Sequence, residues 1–215
     1  MSNTAKPYTS DAIDVTFDTN RCIHAAECVR GLPAVFDTHK RPWIQPDKAG
    51  AGAIAAIVER CPSGALHFAH KDGSAGEAIP EQNTIHLRAD GPLYVRGNVR
   101  IVTPEGAVIV EDVRMALCRC GQSHHKPFCD NSHLEVGFQS DGQVETNDVT
   151  LSGEGGELVI TTRTNGSLKV QGNFAIVGAD GVSVNRGTET ALCRCGGSHN
   201  KPFCDGMHKS IGFQA

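Results

Sequence analysis

Alternation of apolar and polar residues marks a short strand near the start of the chain and a helix further along. Every second residue is apolar, the period of a β-strand, at Ile13, Val15 and Phe17. Apolar residues follow helical spacing at Ile54, Ile57 and Val58. Cys61 continues that helical face, and Pro62 ends the helix directly after it. Residues 13–70 are therefore predicted to form a compact α+β module.

The second half of the chain is a tandem repeat. Residues 91–138 align with residues 166–213 without a gap, at a constant offset of 75 positions. In both copies short apolar runs are separated by glycine and proline, which is typical of β structure. A solenoid needs at least about three stacked units, so we expect the two copies to pack on each other as an intramolecular pseudo-dimer. The predicted fold class is α+β, with two β-rich units after the first module.

Polar and glycine-rich stretches set the expected domain boundaries. The N-terminal residues 1–12 are polar and are predicted to be disordered. Two stretches are predicted to be linkers, namely residues 71–84 and 139–157. The three folded units are then residues 13–70, 85–138 and 158–215.

Composition argues against two classes of function. The 215-residue chain carries a net charge of −4, has a pI of about 6.2 and contains no basic run, whereas nucleic-acid binding requires clustered Lys and Arg. No stretch of about 18 apolar residues is present, so no membrane span is expected. The N-terminal segment lacks the apolar core of a signal peptide, and the expected location is the cytoplasm. The chain is expected to be a monomer with an internal pseudo-twofold axis.

Cysteine is the most informative residue type in this chain. Nine cysteines are an odd number, which argues against a closed disulfide framework, and intracellular cysteine more often binds metal or acts in catalysis. The nine fall into three groups: Cys22, Cys28 and Cys61; Cys118, Cys120 and Cys129; and Cys193, Cys195 and Cys204. Three metal centres are the simplest interpretation, because no cysteine is left over.

The last two cysteine groups each end in a histidine, with the spacing C-x-C-x8-C-x3-H in both copies. Three thiolates and one imidazole can hold a structural zinc ion, although the C-x-C spacing is unusual for a zinc finger. The same residue types can hold an iron–sulfur cluster in which histidine replaces a cysteine. Buried, unligated cysteines are the third alternative, which the repetition of all four residues disfavours.

The residues between these ligands resemble the CDGSH iron–sulfur family. The shared pattern is C-x-C-x2-S-x3-P-F-C-D-[GN]-x-H, which fixes Ser, Pro, Phe and Asp as well as the ligands and occurs twice. The resemblance implies a 2Fe–2S cluster in each copy. The implied ligands are Cys118, Cys120, Cys129 and His133 in the first copy, and Cys193, Cys195, Cys204 and His208 in the second.

Both copies depart from the four residues that end the family's motif. Asn131 replaces Gly in the first copy, and Met207 replaces Ser in the second. Because Asn tolerates a positive φ angle, the backbone is expected to be preserved. Four further residues are expected to support the clusters without binding them. These are Ser123 and Ser198, as hydrogen-bond donors to a cluster sulfur, and Asp130 and Asp205, as N-caps of a short helix that carries the histidine.

The first cysteine group resembles half of a bacterial ferredoxin. Cys22, Cys28 and Cys61 match its C-x2-C-x2-C and C-P pattern, except that Ala25 stands at the second cysteine position. The stretch is similar to divergent mono-cluster 4Fe–4S domains, which implies a ferredoxin-like fold. Three cysteines fit a 3Fe–4S cluster. A 4Fe–4S cluster would need a fourth ligand, from His24, water or a partner, and a ferredoxin-like fold without a cluster is the remaining alternative.

These features predict an iron–sulfur protein with three centres that acts in one-electron transfer with a redox partner protein. The alternative is a protein that stores clusters, transfers them to an apo iron–sulfur acceptor, or senses redox state. The sequence contains no nucleotide-binding glycine loop, nucleophile triad or flavin fingerprint. Catalysis of its own is therefore not expected.

Overall fold

The computed structural model describes residues 5–151, 153 and 155–215. The chain divides into two compact units, Met1–Ala78 and Ile79–Ala215. Strands dominate and short helices occur in both units. The predicted α+β class is therefore confirmed.

The first unit is a three-stranded antiparallel sheet with two short helices. Its strands lie in the order β1–β2–β3 and comprise β1 Lys6–Thr9, β2 Ile13–Phe17 and β3 Leu66–His70. The helices between β2 and β3 are α1 Glu27–Gly31 and α2 Ala51–Val58. Short 3-10 turns come before each helix, at Thr19–Arg21 and Pro46–Lys48.

The core of this unit forms where the sheet meets α2. Ile13 and Val15 of β2 are fully buried, and so are Ile54 and Val58 of α2. The apolar residues of the predicted strand and of the predicted helix therefore pack against each other in one core. Ile57, which shares the helical spacing, is only half-buried at the edge of that core.

The structure differs from the prediction of a disordered N-terminus over residues 1–12. Lys6–Thr9 form strand β1 and pair antiparallel with β2, with Tyr8 opposite Val15. Tyr8 is buried, and its ring packs edge-on against Trp43 at a centroid distance of 6.4 Å. The aromatic partner lies far along the chain, so the polar local sequence gives no sign of this strand. Residues 1–4 of the predicted segment lie outside the described residues.

The second unit is a six-stranded sheet shared by both repeats. The first repeat supplies β4 Thr84–Leu87, β5 Leu93–Val102 and β6 Val108–Leu117. The second repeat supplies β7 Glu157–Thr162, β8 Leu168–Val177 and β9 Val184–Leu192. Each repeat ends in a one-turn helix, α3 Ser132–Glu135 and α4 Met207–Ser210.

The two repeats pair through their first strands. β4 is antiparallel to β5 of its own repeat and parallel to β8 of the other. β7 is likewise antiparallel to β8 and parallel to β5. One apolar cluster contains residues of both repeats, for example Ile101 and Ile160. The two repeats, predicted at 85–138 and 158–215 and expected to pack on each other, therefore share one continuous core within the unit Ile79–Ala215.

Two glycines allow the first two strands of each repeat to lie close together. Gly97 in β5 and Gly172 in β8 have φ angles of 152° and 114°. A Cβ atom on Gly172 would lie 2.2 Å from the carbonyl oxygen of Glu157, and one on Gly97 would lie 2.1 Å from Oδ1 of Asn83. The strand register shifts next to each glycine, as in a β-bulge. Any side chain at either position would push the paired strands apart.

Candidate metal centres

Each repeated motif begins where the last strand of its repeat ends. β6 ends at Leu117 and Cys118 follows. The loop then returns to the strand, because Cys118 N–H donates to the carbonyl of Pro127 at 2.8 Å and Cys129 N–H donates to that of Ala116 at 2.9 Å. The second motif makes the same two bonds, both at 2.8 Å, from Cys193 to Pro202 and from Cys204 to Ala191. Backbone bonds to a strand thus fix the first and third cysteines of each motif.

The ligand-type side chains of each motif approach one another as two pairs. The sulfurs of Cys118 and Cys120 are 3.7 Å apart, and Nδ1 of His133 is 3.5 Å from the sulfur of Cys129. In the second motif the distances are 3.7 Å, between Cys193 and Cys195, and 3.4 Å, between Cys204 and Nδ1 of His208. Within residues 5–151, 153 and 155–215, no three His, Cys, Asp or Glu side chains form a group that could hold a metal ion.

The backbone around the third cysteine of each motif is left-handed. Asn131 has a φ angle of 73° and Gly206 one of 90°, so Asn131 preserves the glycine conformation as its residue type predicted. Backbone N–H groups approach the thiols, from Asn131 to Cys129 at 3.4 Å and from Gln122 to Cys120 at 3.5 Å. Such donors favour the thiolate form that binds metal.

Burial and mutual hydrogen bonding set the acidity of the first motif. A hydrogen bond with Cys120 lowers the pKa of Cys118 to about 6, and the same bond raises the pKa of Cys120. Burial raises the pKa of Cys129 to about 11. Burial also lowers the pKa of His133, with a contribution from Arg119, and this favours the neutral imidazole that acts as a metal ligand. Clustered, buried thiols fit a cationic centre that would offset their charge.

The two predicted aspartates connect the cysteine loop to the helix that carries the histidine. Asp130 accepts hydrogen bonds from Ser132 N–H at 3.1 Å, from the Ser132 hydroxyl at 2.6 Å and from His124 N–H at 2.8 Å. Burial alone would raise the pKa of Asp130, but these bonds outweigh it and hold that pKa well below its usual range. Asp205 accepts from His199 N–H at 2.8 Å and Met207 N–H at 3.0 Å. Both aspartates act from one position before the N-cap residue of their helix.

The two predicted serines stabilise the loop itself. The Ser123 hydroxyl donates to the carbonyl of Phe128 at 2.6 Å and accepts from His125 N–H at 3.0 Å. Ser198 makes the matching bonds, to Phe203 at 2.7 Å and from Asn200 at 3.0 Å. A hydroxyl has a single hydrogen to donate. The expected donation to a cluster sulfur is therefore replaced by a bond that closes the turn before the third cysteine.

Two buried arginines were not predicted as functional from the sequence. Arg119 and Arg194 stand between the first two cysteines of their motifs and are 1% and 4% exposed. Arg119 donates to the carbonyls of Gly91 at 3.0 Å and Arg88 at 2.5 Å, and to the Ser140 hydroxyl at 3.1 Å. The available signal was the repetition of the C-R-C triplet in both copies.

Each arginine acts electrostatically on the other repeat. Burial lowers the pKa of Arg119, and Cys193 of the second motif opposes that shift. Burial lowers the pKa of Arg194 in the same way, and Cys118 of the first motif opposes it. Both guanidinium groups therefore contribute positive charge at the opposite cysteine set.

The cysteine loops of the two motifs are in direct contact. A Cβ atom on Gly121 would lie 2.6 Å from the carbonyl oxygen of Cys195, and one on Gly196 would lie 2.5 Å from that of Cys120. Lysines reach across as well, with Lys126 5.9 Å from the Phe213 ring and Lys201 5.9 Å from the Phe138 ring. The two candidate centres are therefore neighbours within one unit.

The three cysteines of the first unit come from separate segments and line one cavity. Cys22 follows the first 3-10 turn, Cys28 lies in α1 and Cys61 follows the end of α2. Burial raises the pKa of Cys28 to about 11 and also raises that of Cys22, and Cys61 adds to both shifts. Phe17 and Trp43 complete an aromatic side of the cavity.

His24 lines the same cavity from an exposed position in the loop between Cys22 and α1. Its φ angle is 53°, and Ala26, directly before α1, has a φ angle of 63°. Such conformations are costly for residues other than glycine and cluster at functional sites. An ion pair of 2.6 Å joins Glu27 to Arg60, so the helix of Cys28 is bonded to the residue before Cys61.

All nine cysteines are free thiols. In the described part of the chain, no helix has the length and apolar character needed to cross a membrane.

Comparison with known proteins finds family matches for both units. The family described as "Divergent 4Fe-4S mono-cluster" matches residues 8–71, and the family described as "Iron-binding zinc finger CDGSH type" matches residues 90–134 and 165–209. The uncharacterized protein YjdI of Escherichia coli K12 is 42% identical over 64 residues, which cover 30% of this chain and 84% of YjdI. YjdI of Escherichia coli O157:H7 gives the same values. No solved structure matches the chain.

Proposed function

As a member of the divergent 4Fe-4S mono-cluster and CDGSH iron-binding families, the chain is an iron–sulfur protein, and we propose that it acts in one-electron transfer. In this proposal the two repeats hold one 2Fe–2S cluster each, and the first unit holds a 3Fe–4S cluster, with 4Fe–4S as the alternative. The ligands are the two Cys3His sets of the repeats and the three cysteines of the first unit.

The paired arrangement of side chains supports two-iron clusters in the repeats. A 2Fe–2S core has two irons, each of which takes two protein ligands. The first motif offers a Cys118–Cys120 pair at 3.7 Å and a Cys129–His133 pair at 3.5 Å. A single zinc ion would instead require all four side chains around one point. Two close pairs of side chains match the two protein ligands that each iron needs.

The contact between the two cysteine loops is the observation that carries the proposal of electron transfer. When bound, a 2Fe–2S cluster takes up and releases one electron, more readily when a neutral histidine replaces one thiolate ligand. Gly121 packs against Cys195, and Gly196 packs against Cys120, so a ligand of each centre lies in the contact. Electron tunnelling weakens steeply with distance. Touching ligand loops therefore favour electron exchange between the two centres.

The cavity of the first unit supports a cluster held by three thiolates. Cys22, Cys28 and Cys61 line it, and Ala25 lines it at the position where a ferredoxin has its second cysteine. A cluster with three thiolate ligands suits a 3Fe–4S core, whereas a 4Fe–4S core needs one ligand more. His24 lines the same cavity and is the protein side chain that we propose for that extra position.

We propose a redox partner protein as the source or destination of the electrons, a cytoplasmic location and no catalysis by the chain itself. An alternative function is supported by a separate feature. Cys204 and His208 of the second motif are only half-buried. Ligands that solvent can reach would suit a protein that stores clusters, transfers them to an apo iron–sulfur acceptor or senses redox state.

Repeated anaerobic reduction and reoxidation distinguishes the two functions. For electron transfer, the visible absorbance should recover after each cycle and the iron should stay bound. The variant His208→Cys should also cycle, at a lower potential, because a thiolate adds negative charge to the cluster. Release of iron on either step, or delivery of absorbance to an added apo-ferredoxin within one cycle, would contradict electron transfer and support the alternative.

A further inference from the structure

The two repeated motifs differ in how well their third cysteine and their histidine are covered. Cys129 and His133 of the first motif are 4% and 8% exposed. Cys204 and His208, at the matching positions of the second motif, are half-buried. Both pairs lie at the same places in the same fold, so the difference must come from the residues around them.

One difference is a hydrogen bond that the second motif cannot make. In the first motif the Ser132 hydroxyl donates to Asp130 at 2.6 Å, in addition to the bond from its backbone N–H. Met207 stands at the matching position and supplies only its backbone N–H to Asp205, at 3.0 Å. The helix that carries His208 is therefore held to its aspartate by one bond fewer than the helix that carries His133.

A second difference is the residue that follows the C-x-C-G turn. The first motif has Gln122 there and the second has Gly197. A Cβ atom on Gly197 would lie 3.0 Å from both Cγ of Met207 and Cδ1 of Ile211. Two apolar side chains thus occupy the space beside Gly197. Their contacts are non-directional, and Cys204 and His208 are half-buried.

We propose that the second motif is the exchangeable centre of this protein and that the first motif is the retained one. The inference rests on the proposed function, because it assumes a cluster in each motif. Reagents in solution reach Cys204 and His208 first, because these residues are less buried and their helix is held by one hydrogen bond fewer. Cys129 and His133 stay closed. One chain thereby combines a retained redox centre with a centre that loses its metal to a chelator first.

Alkylation of the loaded full-length protein tests this order. The protein is incubated with EDTA and N-ethylmaleimide, visible absorbance is followed, and the modified cysteines are identified by mass spectrometry at intervals. We expect two phases, with Cys193, Cys195 and Cys204 modified at least about tenfold faster than Cys118, Cys120 and Cys129. Tenfold corresponds to about 1.4 kcal/mol. A single rate for both sets, or faster modification of the first set, would overturn the proposal.

Three variants test the physical cause. Met207→Ser restores a hydroxyl for Asp205 and should slow the faster phase, whereas Met207→Ala removes the same side chain without adding a donor and should not slow it. Ser132→Ala removes the hydroxyl from the first motif and should speed up the slower phase. Equal rates for Met207→Ser and Met207→Ala would show that the hydrogen bond is not the cause and would overturn that part of the inference.

Failure of this inference is distinct from failure of the proposed function. About four irons and four sulfides in the repeats, together with equal protection of both motifs, would overturn only the inference. Absence of inorganic sulfide from the purified protein would overturn the proposed clusters themselves, and would appear before any alkylation is done.

Discussion

The repeats and the first unit assemble their centres in opposite ways. Each repeat places its four ligand-type residues within sixteen consecutive positions, on a loop that backbone bonds attach to the end of a strand. The three cysteines of the first unit come from separate segments. Cys22 follows a 3-10 turn, Cys28 lies in α1, and Cys61 follows the end of α2. A contiguous motif needs little more than its own loop to keep its geometry. A dispersed site depends on the packing of the whole unit.

The largest expected effect comes from loosening the core of the first unit. Ile54 of α2 is fully buried, and Ile54→Ala should cost about 2–5 kcal/mol of unfolding free energy. Because α2 positions Cys61, we expect the iron of the first unit to be lost while the iron of the repeats remains. Urea unfolding and iron analysis measure both effects. The exposed helix residue Ala56, changed to Ser, is the control, and equal iron loss from both units would remove the contrast between them.

Forcing the two cysteine loops apart should affect the repeats most strongly. Gly121 has a φ angle of 83° and lies against Cys195, whereas Gly106 has a φ angle of 87° with open space around it. Gly106→Ala should cost about 1–2 kcal/mol from backbone strain alone. Gly121→Ala adds a steric overlap and should cost about 2–4 kcal/mol, with weaker visible absorbance from both repeats. Urea unfolding of the two variants compares these costs, and equal values would mean that the loops do not press on each other.

The buried arginines give an intermediate effect. Arg119→Met removes the guanidinium donor to the carbonyls of Gly91 and Arg88 and should cost about 1–3 kcal/mol. The Arg88 carbonyl keeps its bond from Gly91 N–H. Arg119 acts on Cys193 of the second motif and on His133 of the first, so loss of its charge should lower the reduction potential of both centres. Arg194→Met should lower the potential of the first centre, where Cys118 lies. Redox titration followed by EPR measures this, with Arg119→Lys as the variant that keeps the charge; an unchanged second centre in Arg119→Met would contradict an effect across the repeats.

The smallest effect concerns the ion pair of the first unit. Glu27 and Arg60 are 2.6 Å apart, with Arg60 largely exposed and Glu27 half-buried, so Arg60→Ala should change stability by less than about 1 kcal/mol. The variant separates the contribution of the ion pair from that of the apolar core. If the pair braces Cys28 against Cys61, Arg60→Ala and Glu27→Ala should both speed the loss of iron from the first unit, measured with a chelator. An unchanged rate of iron loss in both variants would mean that the apolar core alone holds Cys28 and Cys61 in position.

Features that depend on neighbouring residues could be predicted from the sequence, and features that depend on distant partners could not. The positive φ of Asn131 and the short helix that contains each histidine follow from local residue types. Strand β1 was missed because Tyr8 packs against the distant Trp43. The pairing of β4 with β8 was missed because the residues of neither strand indicate which strand lies next to it. The role of Ser123 could not be predicted because it depends on where the Phe128 carbonyl lies in the folded loop.

Metal and sulfide analysis of anaerobically purified protein, with EPR of the oxidised sample, tests the central claim most directly. The account predicts about seven irons, with an EPR signal in the oxidised state from a three-iron cluster, or about eight irons without that signal if the first unit holds four. In both cases inorganic sulfide should match the clusters. Two or three zinc ions per chain with no sulfide would contradict the assignment of iron–sulfur centres to this protein.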